Sequence, residues 1–189
     1  MISRAEGSST ATSRLLYLID VRPTLNDALW PAHAYARAEL PERVLQFGSG
    51  MLLRGLCVAA VDAANRAGAR AGRVVVVPST PQGEQRAEAL DAQDGLFTLV
   101  ERGLSGGKPL ERITIIGAIS RAAPSELRVI VSNVSEAGFR SDGPFPSRLT
   151  ETLHSRFARN SPTLFVIPTE LVPDNGPRLA AMVDEVAKQ

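Results

Sequence analysis

Gly48-Ser49-Gly50 is the part of this sequence best suited to chemistry done by backbone alone. It follows a short apolar run, Arg43 to Phe47, and precedes Met51 to Ala67, an Ala- and Leu-rich stretch long enough for a helix and stopped by Gly68. A phosphate needs such a turn, because N–H groups at a helix N-terminus can reach it only where no Cβ intervenes. Gly48 would allow the tight bend, and Gly50 the close approach of a pyrophosphate. The third glycine of the G-x-G-x-x-G fingerprint falls at Leu53, and Gly55 comes two residues late. Spacing alone leaves two readings open: a nucleotide-binding loop, or a plain turn joining a strand to a helix.

Other reactive side chains are few. Of the two lysines, Lys108 lies in a glycine-rich stretch and Lys188 is one residue from the last. Gly106-Gly107-Lys108 is not a Walker loop, because Arg102 and Pro109 replace its first glycine and its Ser/Thr. It reads as a hairpin-like connection between two strands. His154 reads as a surface histidine on a helix, His33 lies in the N-terminal arm, and Cys57 reads as a small packed side chain among alanines. Glu170 follows a buried strand and has two readings, a helix-entry carboxylate or a group lining the site. Nucleotide-binding folds place a carboxylate after the second strand to hold the ribose, yet Val77-Pro78-Ser79-Thr80 has none before Glu84. Ser79 or Thr80 could bond the ribose instead. Arg73 stands at the wrong end of that strand for a 2′-phosphate, which favours NAD over NADP.

The elements that must position these residues alternate. All-apolar runs at Arg43–Phe47, Arg73–Val77, Leu96–Val100, Arg112–Ile119, Leu127–Ser132 and Leu164–Ile167 predict strands. Met51–Ala67, Pro146–Phe157 and Asn175–Lys188 predict helices, while the polar Pro81–Asp94 reads as a loop or a solvated helix. The expected fold is α/β, a Rossmann-like and mostly parallel sheet with helices on both faces. Residues 1–40 read as an irregular arm with a poorly ordered leader, and 41–189 as one domain with order beginning at Pro41. A net charge of +1 gives no electrostatic case for nucleic acid or an anionic membrane. No apolar run approaches the ~18–20 residues of a membrane span, and Leu15 to Ile19 is too short and too flanked by charge for a signal peptide. A single cysteine makes a reducing, cytoplasmic setting the expectation.

The stretch from Pro41 to Gly55, PERVLQFGSGMLLRG, resembles the N-terminal signature of tagaturonate reductases (altronate oxidoreductases), within the mannitol dehydrogenase family of polyol and sugar-acid dehydrogenases. Three further segments match in order: VVVVPST at 74–80, VSNVSEAG at 131–138 and PTELVPDNG at 168–176. Arg148-Leu149-Thr150 also fits, and the resemblance covers residues 41 to 185. It implies a Rossmann-like N-terminal domain that binds NAD(H), followed by a helical C-terminal domain whose lysine is the general acid/base. On that analogy Val44, Leu45, Gln46, Phe47, Gly48, Ser49, Gly50, Met51, Leu52, Leu53, Arg54 and Gly55 form the cofactor loop. Ser79, Ser132, Asn133, Ser135 and Glu136 would lie near the cofactor.

The chain departs from the family in three places. Met51-Leu52 stands where relatives often have Asn-Phe. Between Arg121 and Glu126 only four residues remain where relatives carry a helix-sized insertion, so one crossover is expected to be missing or replaced. Leu171 replaces an Asn thought to help hold the developing alkoxide in mannitol dehydrogenases. The family's lysine has no counterpart here, so no catalytic residue is assigned. The expected partners are NAD(H), a sugar acid or polyol, and a separate C-terminal catalytic domain. Two functions stand: the cofactor-binding part of an oxidoreductase of hexuronate metabolism, or a nucleotide-binding module without turnover. A weaker third is an interaction domain whose glycine turn binds nothing.

Overall fold

The computed structural model describes residues 25–189; the expected leader lies outside them. Strands β1 (Glu42–Phe47), buried almost throughout, and β2 (Arg73–Val77), a run of valines, pair in parallel. With β5 (Ile119–Ser120), β6 (Val129–Ser132) and β7 (Phe165–Pro168) they form one sheet in the order β5-β2-β1-β6-β7, every pairing parallel. The chain order reverses between β1 and β6, the switch point at which open α/β sheets take ligands. Strands β3 (Phe97–Ser105) and β4 (Lys108–Ile116) form a separate antiparallel hairpin. Gly106 (φ 57°) and Gly107 (φ 79°) close it, both in the positive-φ region that a two-residue type I′ turn requires. The fold is the expected Rossmann-like one, with the hairpin as its antiparallel appendage.

Side chains alternate across the sheet and build two cores. Val44 and Val131 face a layer made by helix α1 and helix α2 (Pro81–Asp91), with Leu53, Val58, Leu90 and Phe97. Helix α1 runs through Met51–Leu53, a π-helical turn Arg54–Val58, and Ala59–Arg66. Leu45, Phe47 and Ile130 face helices α3 (Pro144–Ala158) and α4 (Asn175–Ala187), with Phe145, Leu149 and Leu179. Burying a Leu or Phe side chain contributes roughly 1.5–3 kcal/mol, so these two layers hold the sheet.

Two open readings are decided by the structure and one expectation needs correction. Pro81–Asp91 is a helix, begun by the Thr80 side chain accepting from the Gly83 N–H at 3.0 Å, with Pro81 in its first turn. Residues 121–128 contain no helix: the β5–β6 crossover is a loop held to β1 by Glu126 N–H to Glu42 O (3.2 Å) and Arg128 N–H to Arg43 O (2.9 Å). Order also does not wait for Pro41. Two 3-10 turns, Asp27–Leu29 and Arg37–Glu39, fix the preceding segment to the domain. The Trp30 ring lies 5.5 Å from the Arg37 guanidinium and 4.9 Å from that of Arg66. Tyr35 donates its hydroxyl to buried Asp62 at 2.8 Å, and Asp62 also accepts from the Gly117 N–H at 2.9 Å. Buried Arg37 donates to Gly117 O at 2.8 Å and pairs with Asp27.

Candidate functional site

The glycine turn sits at the carboxyl end of β1, and its two glycines do different work. Gly48 has φ +108°, and a Cβ there would stand 2.7 Å from the Asn133 carbonyl oxygen. Its N–H donates to Val77 O at 2.9 Å, and Asn133 N–H donates to Phe47 O at 3.0 Å, so the bend is tied to both neighbouring strands. Gly48 is therefore demanded by the fold. Gly50 is not: its φ is −66°, and a Cβ there would meet nothing within 4 Å. Gly50 begins α1 with no side-chain cap, which leaves the first amides of the helix for an outside acceptor. The missing side chain faces open space at the positive end of a helix dipole.

Between them Ser49, buried, donates its hydroxyl to Gly83 O at 3.1 Å and so joins the turn to the first turn of α2. Leu53, 1% exposed, takes the place of the usual third glycine and fills the gap between α1 and the sheet. Gly55 is not needed for close packing, since a Cβ there would make an ordinary contact of 4.0 Å with Leu99. Arg54 lies 5.8 Å over the Phe97 ring; burial, then the charge of Arg86, lower its guanidinium pKa. Val44, Leu45 and Phe47 spend their side chains in the two cores. Gln46, fully buried, donates to Gly48 O at 2.8 Å and supports the turn from below. Met51 and Leu52 are exposed.

Across the switch point, two family-like segments are knitted together. Asn133 donates through Nδ2 to Thr169 O at 2.8 Å, and Thr169 donates its hydroxyl to Ser132 O at 2.7 Å. Glu170, 4% exposed, accepts from the Val134 N–H at 3.1 Å, while its Oε2 has no partner. It is thus neither the entry residue of α4, whose N-cap position is Asp174, nor a surface carboxylate. It is a latch between residues 131–138 and 168–176, and no local pattern in the sequence points to Val134. Ser132 is buried with an unpartnered Oγ. Ser135 and Glu136 are exposed at a 3-10 turn.

At the end of β2, Thr80 is committed to capping α2. Ser79, half-buried, enters none of the hydrogen bonds found among the described residues. Arg73 lies at the opposite end of the strand, bonded to Glu42 at 3.0 Å and to Ser120. Lys108 is exposed beside the hairpin turn and Lys188 follows α4, so neither lysine is near the glycine turn. His154 and His33 are exposed, and burial raises the pKa of the half-buried Cys57 thiol. Among the described residues no cluster of His, Cys, Asp and Glu could hold a metal, and no helix is long and apolar enough to cross a membrane.

No family model matches the chain. Curated altronate oxidoreductases do. That of Halalkalibacterium halodurans is 33% identical over 82% of this chain and 35% of its own length. That of Bacillus subtilis is 32% identical over 77% and 36%, and that of Shigella sonnei 30% over 80% and 37%. The chain therefore spans about a third of the length of the curated relatives it matches. Among solved structures, Pseudomonas fluorescens mannitol 2-dehydrogenase in ternary complex with NAD and D-mannitol superposes with a TM-score of 0.66. That match has 19% identity and covers 92% of this chain and 43% of that one. Substrate-free D-sorbitol dehydrogenase gives a TM-score of 0.67 at 17% identity, covering 88% and 43%. Over the stretch it shares with these proteins, the chain is similar in sequence to altronate oxidoreductases and has the Rossmann-like fold of the two dehydrogenase structures.

Proposed function

We propose that the chain is the NAD(H)-binding portion of an oxidoreductase that moves hydride between nicotinamide and a sugar acid or polyol, a keto sugar acid such as tagaturonate being the substrate class. The observation that carries this is the pair of glycines at the switch point: one forced by the fold, the other unforced and facing open space before an uncapped helix. Such a cradle fits a diphosphate, which the first amides of α1 would hold. Gln46 and Ser49 keep the turn in place, and Ser79 is the side chain near β2 with a hydroxyl to spare for the adenosine ribose. Asn133, fixed by Thr169, and the latch at Glu170 would border the nicotinamide side.

When bound, the nicotinamide supplies or accepts the hydride. The chain's own residues bind and orient it. Reducing a carbonyl also needs a proton donor within hydrogen-bond reach of the oxygen, and neither lysine of this chain stands near the turn. The donor is assigned to the portion of the relatives that this chain does not match. Met51 (80% exposed) and Leu171 (98% exposed) leave apolar side chains bare on helix α1 and just beyond β7, which suits burial against such a portion. A second reading, a nucleotide-binding module without turnover, rests on the same absence of a donor.

Titration with NADH, followed by nicotinamide fluorescence and thermal shift, tests the binding claim. Saturable binding is expected; no saturable signal at about 1 mM (weaker than roughly −4 kcal/mol) would remove both nucleotide readings. Reduction of tagaturonate by this chain alone would overturn the assignment of the proton donor elsewhere.

A further inference from the structure

The carboxyl end of β2 is where a dinucleotide-binding sheet of this kind meets the adenosine ribose. A site selective for NAD places a carboxylate there, which accepts from the 2′-hydroxyl and repels the 2′-phosphate of NADP. Here residues 78–83 are Pro-Ser-Thr-Pro-Gln-Gly, with no carboxylate before Glu84. Thr80 is committed to the cap of α2, and Glu84 is exposed in the first turn of that helix. The end of β2 is tied to the glycine turn twice, by Gly48 N–H to Val77 O at 2.9 Å and by the Ser49 hydroxyl to Gly83 O at 3.1 Å. A dinucleotide gripped at the turn therefore runs past residues 78–80.

A cation stands where the carboxylate is missing. Arg148, exposed near the start of α3, donates Nη1 to Pro78 O at 3.0 Å across 70 residues of chain. That bond fixes the guanidinium to the main chain one residue before Ser79 and uses one of its five N–H groups. Among the described residues Arg148 is in no ion pair. Arg73, whose place at the far end of β2 speaks for NAD, is spent on Glu42 and Ser120. Arg148 supplies from α3 what Arg73 does not.

Granted the NAD(H) reading of the glycine turn, on which this rests, we propose that the site accepts the 2′-phosphate of NADP(H) as well as the free ribose of NAD(H). Arg148 and the hydroxyl of Ser79 are the groups that meet the phosphate. A guanidinium and a phosphate form a strong charge-assisted pair, and no carboxylate at residues 78–83 opposes it.

The test titrates the full chain with NADH and with NADPH, followed by nicotinamide fluorescence. NADPH should bind within about tenfold of NADH. Arg148→Ala should lower the affinity ratio of NADPH to NADH about tenfold or more, as loss of a charge-assisted bond does, and Arg148→Lys should recover part of it. Ser79→Asp restores the missing carboxylate and should turn the site against NADPH by a similar factor. Saturable NADH binding with NADPH more than about tenfold weaker would overturn the proposal and leave the cofactor reading standing. Absence of saturable binding by either would overturn both. An Arg148→Ala protein with the parental ratio would overturn the role given to Arg148.

Discussion

Replacing the two glycines of the turn should have opposite consequences, one for folding and one for binding. At Gly48 an alanine must hold φ +108°, at about 1–3 kcal/mol of backbone strain, and its Cβ would stand 2.7 Å from the Asn133 carbonyl. That oxygen belongs to main chain already bonded to β1, so relief requires moving two strands, at roughly another 1–3 kcal/mol. Gly48→Ala should therefore lose about 2–6 kcal/mol, a large share of a typical total of about 5–15 kcal/mol. At Gly50 the angles, −66° and 163°, suit any residue, and the space beyond is open. Gly50→Val loses up to about 1 kcal/mol as a poorer N-cap and recovers roughly 0.4–1 kcal/mol from a stiffer unfolded chain. Its stability should thus stay within about 1 kcal/mol of the parent. Binding should suffer instead, because the new side chain stands where a phosphate oxygen would meet the helix amides. Losing one charge-assisted hydrogen bond, at about 1.5–3 kcal/mol, weakens NADH roughly 10- to 150-fold. Urea denaturation and NADH titration on the same preparations measure both quantities. A Gly48→Ala protein as stable as the parent would refute the steric reasoning, and a Gly50→Val protein with parental affinity would put the dinucleotide elsewhere.

Other outcomes follow from the lower half of the domain. Asp62→Ala strands Tyr35, Arg66 and the Gly117 N–H together, so about 3–5 kcal/mol should be lost and Trp30 fluorescence should shift; a change below about 1 kcal/mol would contradict the network. Glu42 is pushed up by burial, but hydrogen bonds from Ser125 and Ser120, its own amide and the charge of Arg73 leave its pKa below the ordinary glutamate value. A carboxylate depressed in the folded state contributes fully above its unfolded pKa, about 4.3, and the contribution disappears as pH falls through the folded value. Glu42→Gln should flatten the acid side of a stability–pH curve below about pH 4.3; an unchanged acid slope would count against this linkage.

What the sequence reveals and what it hides divide along physical lines. The run Arg73–Val77 is readable to the residue because four consecutive valines between Gly72 and Pro78 favour a strand in a parallel sheet. The turn at Gly106-Gly107 is readable as a hairpin because paired glycines readily take the positive φ that so short a loop favours. The segment at residues 26–40 is opaque for the opposite reason. Trp30, Tyr35 and Arg37 have no period, and their partners Asp62, Arg66 and Gly117 are far along the chain. Helix α2 is legible only as one of two readings, because it buries only Gly83 and Leu90, too few positions to mark an apolar face. The π-helical turn at Arg54–Val58 is a change of backbone register with no residue signature. At the site, Gly48 and Gly50 look alike in sequence, and only the position of the Asn133 carbonyl tells the structural glycine from the permissive one. Glu170 stands out as a motif residue, yet its bond to Val134 crosses from one strand end to the next.

The two flanks of the parallel sheet bear on behaviour in concentrated solution. β5 offers two residues of ladder, and β7 offers four, the last of them Pro168, which has no N–H. Another chain would find too little main chain on either side to extend the sheet by hydrogen bonding. At these two flanks the parallel sheet is therefore protected from growing into ribbons.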